Sequence, residues 1–406
     1  MSASPDVPGT VGVPAGAPAP APVPGLPGGH RVPDLLHPSA RDPRITTAAV
    51  AATAAAAPGS VRTAVRGAGT RAGTRAGIFL LAVLALVASA AVSVRIGTTD
   101  VPYGDVGRSV GFHLGLGTEP LPPLVDSLIW ELRVPRVLMA ALVGAALAVC
   151  GAALQAVTRN ALADPYLLGI SSGASTGAVA VVVLGVGAGS LGVTGGAFVG
   201  ALVSFALLML LLRRGGLDSV RIVLTGVVVA QLFTALTSLV LMASGDAEMV
   251  RAITQWLLGS MAPARWDAVA VTAAVTAAGL LVLWLNSAAL DAFSFGSDTA
   301  SSLGVDVRVT RWVLLVVTSL MTSVAVATVG AIGFVGLIVP HGVRFLVGPR
   351  HRVLLPLSAL VGAVFLVWTD ALARVAFSPQ EVPVGVFTAL LGVPLFLLVL
   401  RRRGEL

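Results

Sequence analysis

The chain has 406 residues, of which 56% are hydrophobic and only 11% charged, with a formal net charge of +7 and a mean hydropathy of +0.93. A soluble domain carries about 25% charged residues, so this chain cannot solvate the surface of a globule its size, and its long apolar stretches need lipid as solvent. Its 26 basic residues are all Arg, and they gather at the ends of apolar runs, which favours a membrane and argues against nucleic acid as a partner.

Residues 1–76 form a separate regime. Pro, Ala and Gly dominate to Gly29, and Arg punctuates Ala/Thr-rich sequence from Arg31 to Arg75. Such a composition buries too little apolar surface to offset chain entropy, so the sequence predicts a disordered cytoplasmic tail. The run Ile78–Val92 looks like a signal-peptide core, but it lies too deep in the chain and reads as a first membrane helix. Residues 77–403 then hold ten apolar segments of spanning length: 77–96, 134–157, 167–188, 191–212, 221–243, 266–286, 311–329, 331–347, 354–373 and 384–401. Only Gly330 and Gly333 separate the seventh from the eighth. The expected fold is an all-α integral membrane protein with ten transmembrane helices.

Arginine placement sets the orientation. With the N-terminus inside, the inner segments hold Arg159, Arg213, Arg214, Arg221, Arg308, Arg311, Arg344, Arg350, Arg352 and Arg401, while the outer loops hold fewer, together with Asp100, Asp105, Glu119, Asp126, Glu131, Asp246 and Glu248. Both termini are therefore expected in the cytoplasm of a multi-pass protein of the cell membrane.

Several chemistries lack their residues. A GxxxxGK[ST] phosphate loop needs a Lys, so the chain is not expected to hydrolyse ATP. Cys150 stands alone inside an apolar run, and reads as a small buried hydrophobe. His341 and His351 have no companions at metal-site spacing. His341, at the inner end of the eighth segment, reads as structural there. An ion-coupled secondary transporter places ionisable groups near mid-membrane; here Asp370 and Arg374, spaced i, i+4 near an outer end, come nearest, and they can pair with each other. Energy from a partner fits better. A non-transporting membrane scaffold is the alternative from another class.

Five stretches carry polar and glycine residues that membrane packing alone does not require. They are 132–175, with QAVTRNALADPYLLGISSGAS at its end; WLLGSMAPARW, 256–266; FSFGSDTASSLGVDV, 293–307; GAIGFVGLIVPHGVRFLVGPRHR, opening 330–363; and DALARVAFSPQEVPVGVFTALLGVPLF, 370–396. Together, in this order, they resemble the iron-chelate and cobalamin importer permeases, the FecCD family of type II ABC importers, over about residues 77–403. Ala161 departs from the family's usual Pro, and Ser297–Asp298 from its usual Gly-Glu.

The resemblance implies a permease subunit with ten helices, no catalysis and no cofactor of its own. It pairs with a second protomer, identical or paralogous. Two cytoplasmic ATPase subunits use ATP and Mg, and an extracytoplasmic substrate-binding lipoprotein delivers cargo. A ferric siderophore is the expected cargo, with cobalamin or haem as alternatives. Arg133, Arg136 and Arg374 are implied to dock acidic residues of that binding protein; the plainer reading is interface anchoring, or pairing with Glu131 and Asp370. As groups at helix ends near water, they are expected to contribute little to stability. The loop Gly296, Asp298, Ala300, Leu303, Gly304 is implied to seat in the ATPase, with Asp298 capping a short helix and Gly304 ending it. Asn160 and Leu162, in a turn with Gln155, Arg159 and Pro165, are implied to form a cytoplasmic gate. Gln231, Thr234 and Ser238 share one helix face, which suits either a polar pathway lining or interhelical hydrogen bonding.

Overall fold

Apolar runs in lipid can satisfy their own backbone N–H and C=O groups only as helices or closed barrels, and among the described residues every regular element is helical. The computed structural model describes residues 58–403 except 98, 186–191, 216, 244–245 and 379. The predicted tail therefore lies largely outside the described residues. Residues 58–76, read from sequence as part of it, are helical, since the first helix is recorded over Pro58–Arg95; the alanines there favour helix.

The elements run as α1 (the apolar part Ala76–Arg95), α2 (Tyr103–His113), α3 (Pro123–Thr158), a 3₁₀ turn (Pro165–Leu168), α4 (Ile170–Leu184), α5 (Gly192–Gly215), α6 (Ser219–Ala243) and α7 (Ala247–Leu257). They continue as α8 (Trp266–Leu285), α9 (Ser287–Phe293), α10 (Ser297–Ser302), α11 (Val307–Val329), α12 (Val335–Val347), α13 (His351–Val375) and α14 (Val384–Arg403). Each of the ten apolar segments coincides with one helix. Seven of these helices are long and apolar enough to cross a membrane, whereas α4, α12 and the apolar part of α14 are shorter.

The organising element is α3. It buries 78% of its most apolar window, against 17% for α1, so α3 is the hub and α1 lies at the periphery. Glycines allow the close packing. A Cβ on Gly144 would stand 2.2 Å from the Gly362 carbonyl oxygen of α13, and one on Gly151 would stand 1.9 Å from that of Gly336 of α12. Without a hydrophobic drive between helices in lipid, such backbone-to-backbone contact supplies much of the association. One buried cluster surrounds α3 with residues of α8, α11, α12 and α13; a second joins α4, α5, α6 and part of α11.

Between α11 and α12 the chain turns through Gly330 (φ 78°) and Phe334 (φ 70°). Gly330 was the expected break; Phe334, a bulky residue in the left-handed region, was not. The Tyr166 hydroxyl holds this turn: it donates to the Ile332 carbonyl at 2.9 Å and accepts from the Ile332 amide at 2.8 Å.

Candidate functional site

The candidate residues lie at the two ends of α3 and along α6. From Val134 to Thr158 helix α3 has 25 residues, about 37 Å at 1.5 Å per residue, so its two ends reach opposite sides of a bilayer.

At the first end, a π-helical turn, Leu128–Arg133, leads into the straight part of α3. Arg133 is 6% exposed. Its Nη1 donates to the carbonyls of Val94 (3.0 Å) and Arg95 (2.8 Å), and its Nη2 to Thr99 Oγ1 (2.9 Å) and the Thr99 carbonyl. It thus caps the C-terminal end of α1, where orphan carbonyls favour a cation. Arg136 binds Asp370 through Nε (3.1 Å) and Nη2 (3.0 Å), and Glu381 through Nη1 (2.9 Å). Arg374 meets Asp370 Oδ2 from Nε at 3.1 Å and donates to the Ile96 carbonyl (2.5 Å) and Ser93 Oγ (2.7 Å).

These positions correct one expectation. The three arginines do not stand in water at helix ends: Arg374 is 3% exposed and Asp370 0%, and their guanidiniums are committed to α1, α13 and the following turn. Pairing of Arg136 and Arg374 with Asp370 was anticipated; Arg133 pairs with backbone oxygens and not with Glu131. The structure nonetheless brings all three to one place. They line a single cavity of about 230 Å³ with Thr99 and Glu381, and the group carries one more positive charge than negative.

At the other end, Arg159 terminates α3 in the left-handed conformation (φ 50°). Asn160 follows, and its Oδ1 accepts from the Leu162 amide at 2.9 Å, an Asx turn that presents Leu162, half exposed. Buried Gln155 ties this end to α12: its Nε2 donates to the carbonyls of Gly336 and Leu337, and its Oε1 accepts from Arg344 Nη1 at 2.7 Å. Asp164 Oδ1 accepts from the Tyr166 amide at 2.9 Å, and burial pushes the Asp164 carboxyl up to about 6.

Beside this turn sits the short helix α10. Gly296, with φ 107°, occupies its N-cap position, and a Cβ there would lie 3.6 Å from Arg159 Nη1. Asp298 is in the first turn and makes no capping hydrogen bond, which corrects the capping expectation; its charge still complements the helix N-terminus. Gly304 (φ 84°) ends the segment as expected. Ala300 is fully buried, while Phe295 (75%) and Leu303 (67%) are among the most exposed apolar side chains. An anchored helix flanked by two bare apolar residues has the form of a contact surface. The support underneath includes Asp291, whose Oδ1 meets the His351 amide (2.8 Å) and Nδ1 (2.7 Å). Burial alone would raise the Asp291 carboxyl, but the hydrogen bonds from His351 and the charges of His351 and Arg350 hold it below its ordinary value. His341 is buried, edge-on to Phe345. Among the described residues no cluster of three or more His, Cys, Asp or Glu could hold a metal.

Along α6, Gln231, Thr234 and Ser238 are exposed, and Leu232, Leu236 and Leu239, about a third of a turn round the helix, are exposed as well, so the exposed surface of α6 is mixed rather than purely polar. Thr234 Oγ1 donates to the Ala230 carbonyl (2.8 Å) and meets Ser172 Oγ at 3.4 Å. One turn on, Thr176 and Thr237 share a hydrogen bond of 2.8 Å. Sequence reasoning missed Ser172 and Thr176, although their i, i+4 spacing in the motif ISSGAST would have placed them on one face of α4.

The sequence model of the FecCD transport family matches residues 81–402. The chain is similar to the cobalamin import system permease protein BtuC of Halobacterium salinarum, with 43% identity over 70% of this chain and 76% of that one. It is similar to the iron-uptake system permease protein FeuC of Bacillus subtilis, with 38% identity over 70% of this chain and 87% of that one. Its fold is similar to a solved inward-facing ABC transporter assigned to the metal-chelate type, with a TM-score of 0.70 and 31% identity over 80% of this chain and 99% of that one.

Proposed function

The chain belongs to the FecCD transport family, and from that premise we propose that it works as the membrane permease of an ATP-driven importer whose cargo is an iron chelate. The observation that carries this reading is the extent of the likeness: one match runs from α1 into α14, and 80% of the chain is similar in fold to an ABC transporter assigned to the metal-chelate type. The similarity to a cobalamin import permease favours cobalamin as the second reading.

In this reading the protein crosses the membrane ten times, with α4, α12 and α14 as short spans, and α3 runs outward-to-inward. The end bearing Arg159, Arg308 and Arg350 faces the cytoplasm. Two ATPase subunits bind there, each gripping α10 of one protomer through Phe295 and Leu303. Because α10 is anchored by Ala300 and lies against Arg159, ATPase closure moves the Asn160–Leu162 turn with it, and Leu162 opens or closes the pathway. The exposed strip of Gln231, Thr234 and Ser238 borders that pathway with a second protomer; uncharged hydroxyls and amides wet a bulky chelate without holding it.

At the outer end, a binding protein docks by inserting a carboxylate into the arginine-lined cavity, where it displaces Glu381 from Arg136. Arginine suits this exchange because its forked N–H groups can donate to a second carboxylate in the same plane. The test is uptake of radiolabelled ferric siderophores, haemin and cobalamin by a deletion strain carrying this gene. Uptake of a ferric siderophore that stops when cellular ATP is depleted is expected. Cobalamin uptake without siderophore uptake would transfer the assignment to the second reading, and uptake that follows only the proton or sodium gradient would sink both.

A further inference from the structure

A cavity of about 400 Å³ lies where the end of α5 meets the start of α11, lined by Leu212, Arg213, Leu217, Arg308, Arg311 and Trp312. None of its three arginines makes an ion pair among the described residues. Arg311 is 7% exposed, its Nε is buried without a hydrogen-bond partner, and its Nη1 donates to the Leu217 carbonyl at 2.6 Å. Its guanidinium carbon lies 5.5 Å from the Phe293 ring centroid. The charge of Asp218 acts on Arg311, but among the described residues Asp218 forms no ion pair; its Oδ2 accepts from the Val220 amide at 3.3 Å. The other nearby acid, Asp306, caps α11 through the Val309 amide at 2.9 Å.

Two features make this arrangement costly without a ligand. Arg308 and Arg311 sit at the N-terminus of α11, where the helix dipole favours negative charge. A largely buried guanidinium without a carboxylate is also unfavourable unless an anion compensates it. Depth and surroundings then name the anion. Arg213 closes the apolar span Gly192–Arg213, and Arg308 and Arg311 open Val307–Val329, so the cavity lies at headgroup level. Trp312 has the side chain enriched at that level. Val309, Val313 and Val316, which share one face of α11, and Leu210 and Leu211 on α5 are exposed, so both helices that flank the cavity also offer apolar side chains to acyl chains. The volume falls in the range of small-molecule sites.

We propose that this cavity binds the phosphodiester headgroup of an anionic phospholipid of the inner leaflet, with Arg213, Arg308 and Arg311 around the phosphate and Leu212, Leu217 and Trp312 against the glycerol and upper acyl chains. The site stands between α5, α11 and the segment carrying α10, so bound lipid steadies the base from which α10 projects. The orientation is that given above; the test reads binding alone, so its failure is distinct from a failure of the transport reading.

The full-length protein, purified in the complex it forms and held in a neutral detergent, is heated with phosphatidylglycerol, phosphatidylcholine or inorganic phosphate. Phosphatidylglycerol should raise the unfolding temperature, and the other two should not. In R213Q/R308Q, which alters two exposed side chains and leaves buried Arg311 in place, the concentration of phosphatidylglycerol needed for the same shift should rise about thirtyfold. An equal shift with phosphatidylcholine would mean an unselective lipid contact and overturn the proposal. An equal shift with phosphate would assign the cavity to a soluble anion instead. A double variant that keeps the full phosphatidylglycerol shift but loses its ATPase would assign the arginines to a protein partner, again against the proposal.

Discussion

Asp370 holds the Arg136 end of α3 together, because one fully buried carboxylate pairs with both Arg136 and Arg374. D370N keeps the shape and removes the charge, leaving two guanidiniums without their main partner. Breaking a buried pair from one side costs about 3–5 kcal/mol, so the variant should unfold at clearly lower temperature in detergent. E381Q alters the partner that is 39% exposed and should leave stability within about 1 kcal/mol, while changing binding-protein affinity measured on immobilised permease. Equal effects of the two on unfolding would contradict the division of roles. Asp164 gives a pH test at the other end. Burial raises its folded pKa from 3.8 to about 6, above the unfolded value. Its stabilising contribution is therefore complete below about pH 4 and is lost as pH rises through 6. D164N should remove that dependence, so its advantage over the natural protein in thermal unfolding should be larger at pH 7.5 than at pH 5. The i, i+4 pairing of Asp370 with Arg374 was legible in the sequence because a helix face is a local property. The burial of Arg133 was not, since its partners are carbonyls 38 and 39 positions away, and backbone acceptors leave no mark in composition.

Hydropathy located the ten helical segments well, because the bilayer leaves the backbone so few alternatives. It could not show that α4 and α12 are short, nor that α3 is the hub, since every helix reads as apolar and the difference lies in which glycines meet. That difference can be tested. In G362A the new methyl would come 2.4 Å from the Gly144 carbonyl and 2.6 Å from Ala148 Cβ, whereas Gly342 has nothing within 4 Å of a Cβ. G362A should cost about 1–3 kcal/mol through overpacking and G342A close to none, read as the difference in midpoint of thermal unfolding; equal midpoints would mean that the α3–α13 contact is slack. At α10, Gly304 correctly marked the end of a short helix, but its start was assigned to a cap at Asp298 where Gly296 stands. G304P meets φ 84° with a ring that needs about −65°, and it removes the hydrogen bond from the Gly304 amide to Ser301. The variant should insert normally and fail in uptake; wild-type uptake would remove α10 from the coupling route.

At the scale of the whole molecule, the proposed transport requires two charged ends separated by the length of α3 to communicate, and the contacts along that path are specific. Gln155 binds α12 at one end of α3, Arg159 lies against the start of α10, and Tyr166 fixes the turn between α11 and α12. On the transport reading proposed above, a push on α10 would reach the Asn160–Leu162 turn through packed helices rather than flexible loops, as a two-state element requires. The measurement that bears most directly on this account is transport by the purified permease, its ATPase and its binding protein reconstituted in liposomes, with ferric siderophore presented on the binding-protein side. The account predicts siderophore accumulation that requires ATP hydrolysis and is lost in G304P while the complex stays assembled. Accumulation without ATP, or undiminished accumulation in assembled G304P complexes, would contradict it.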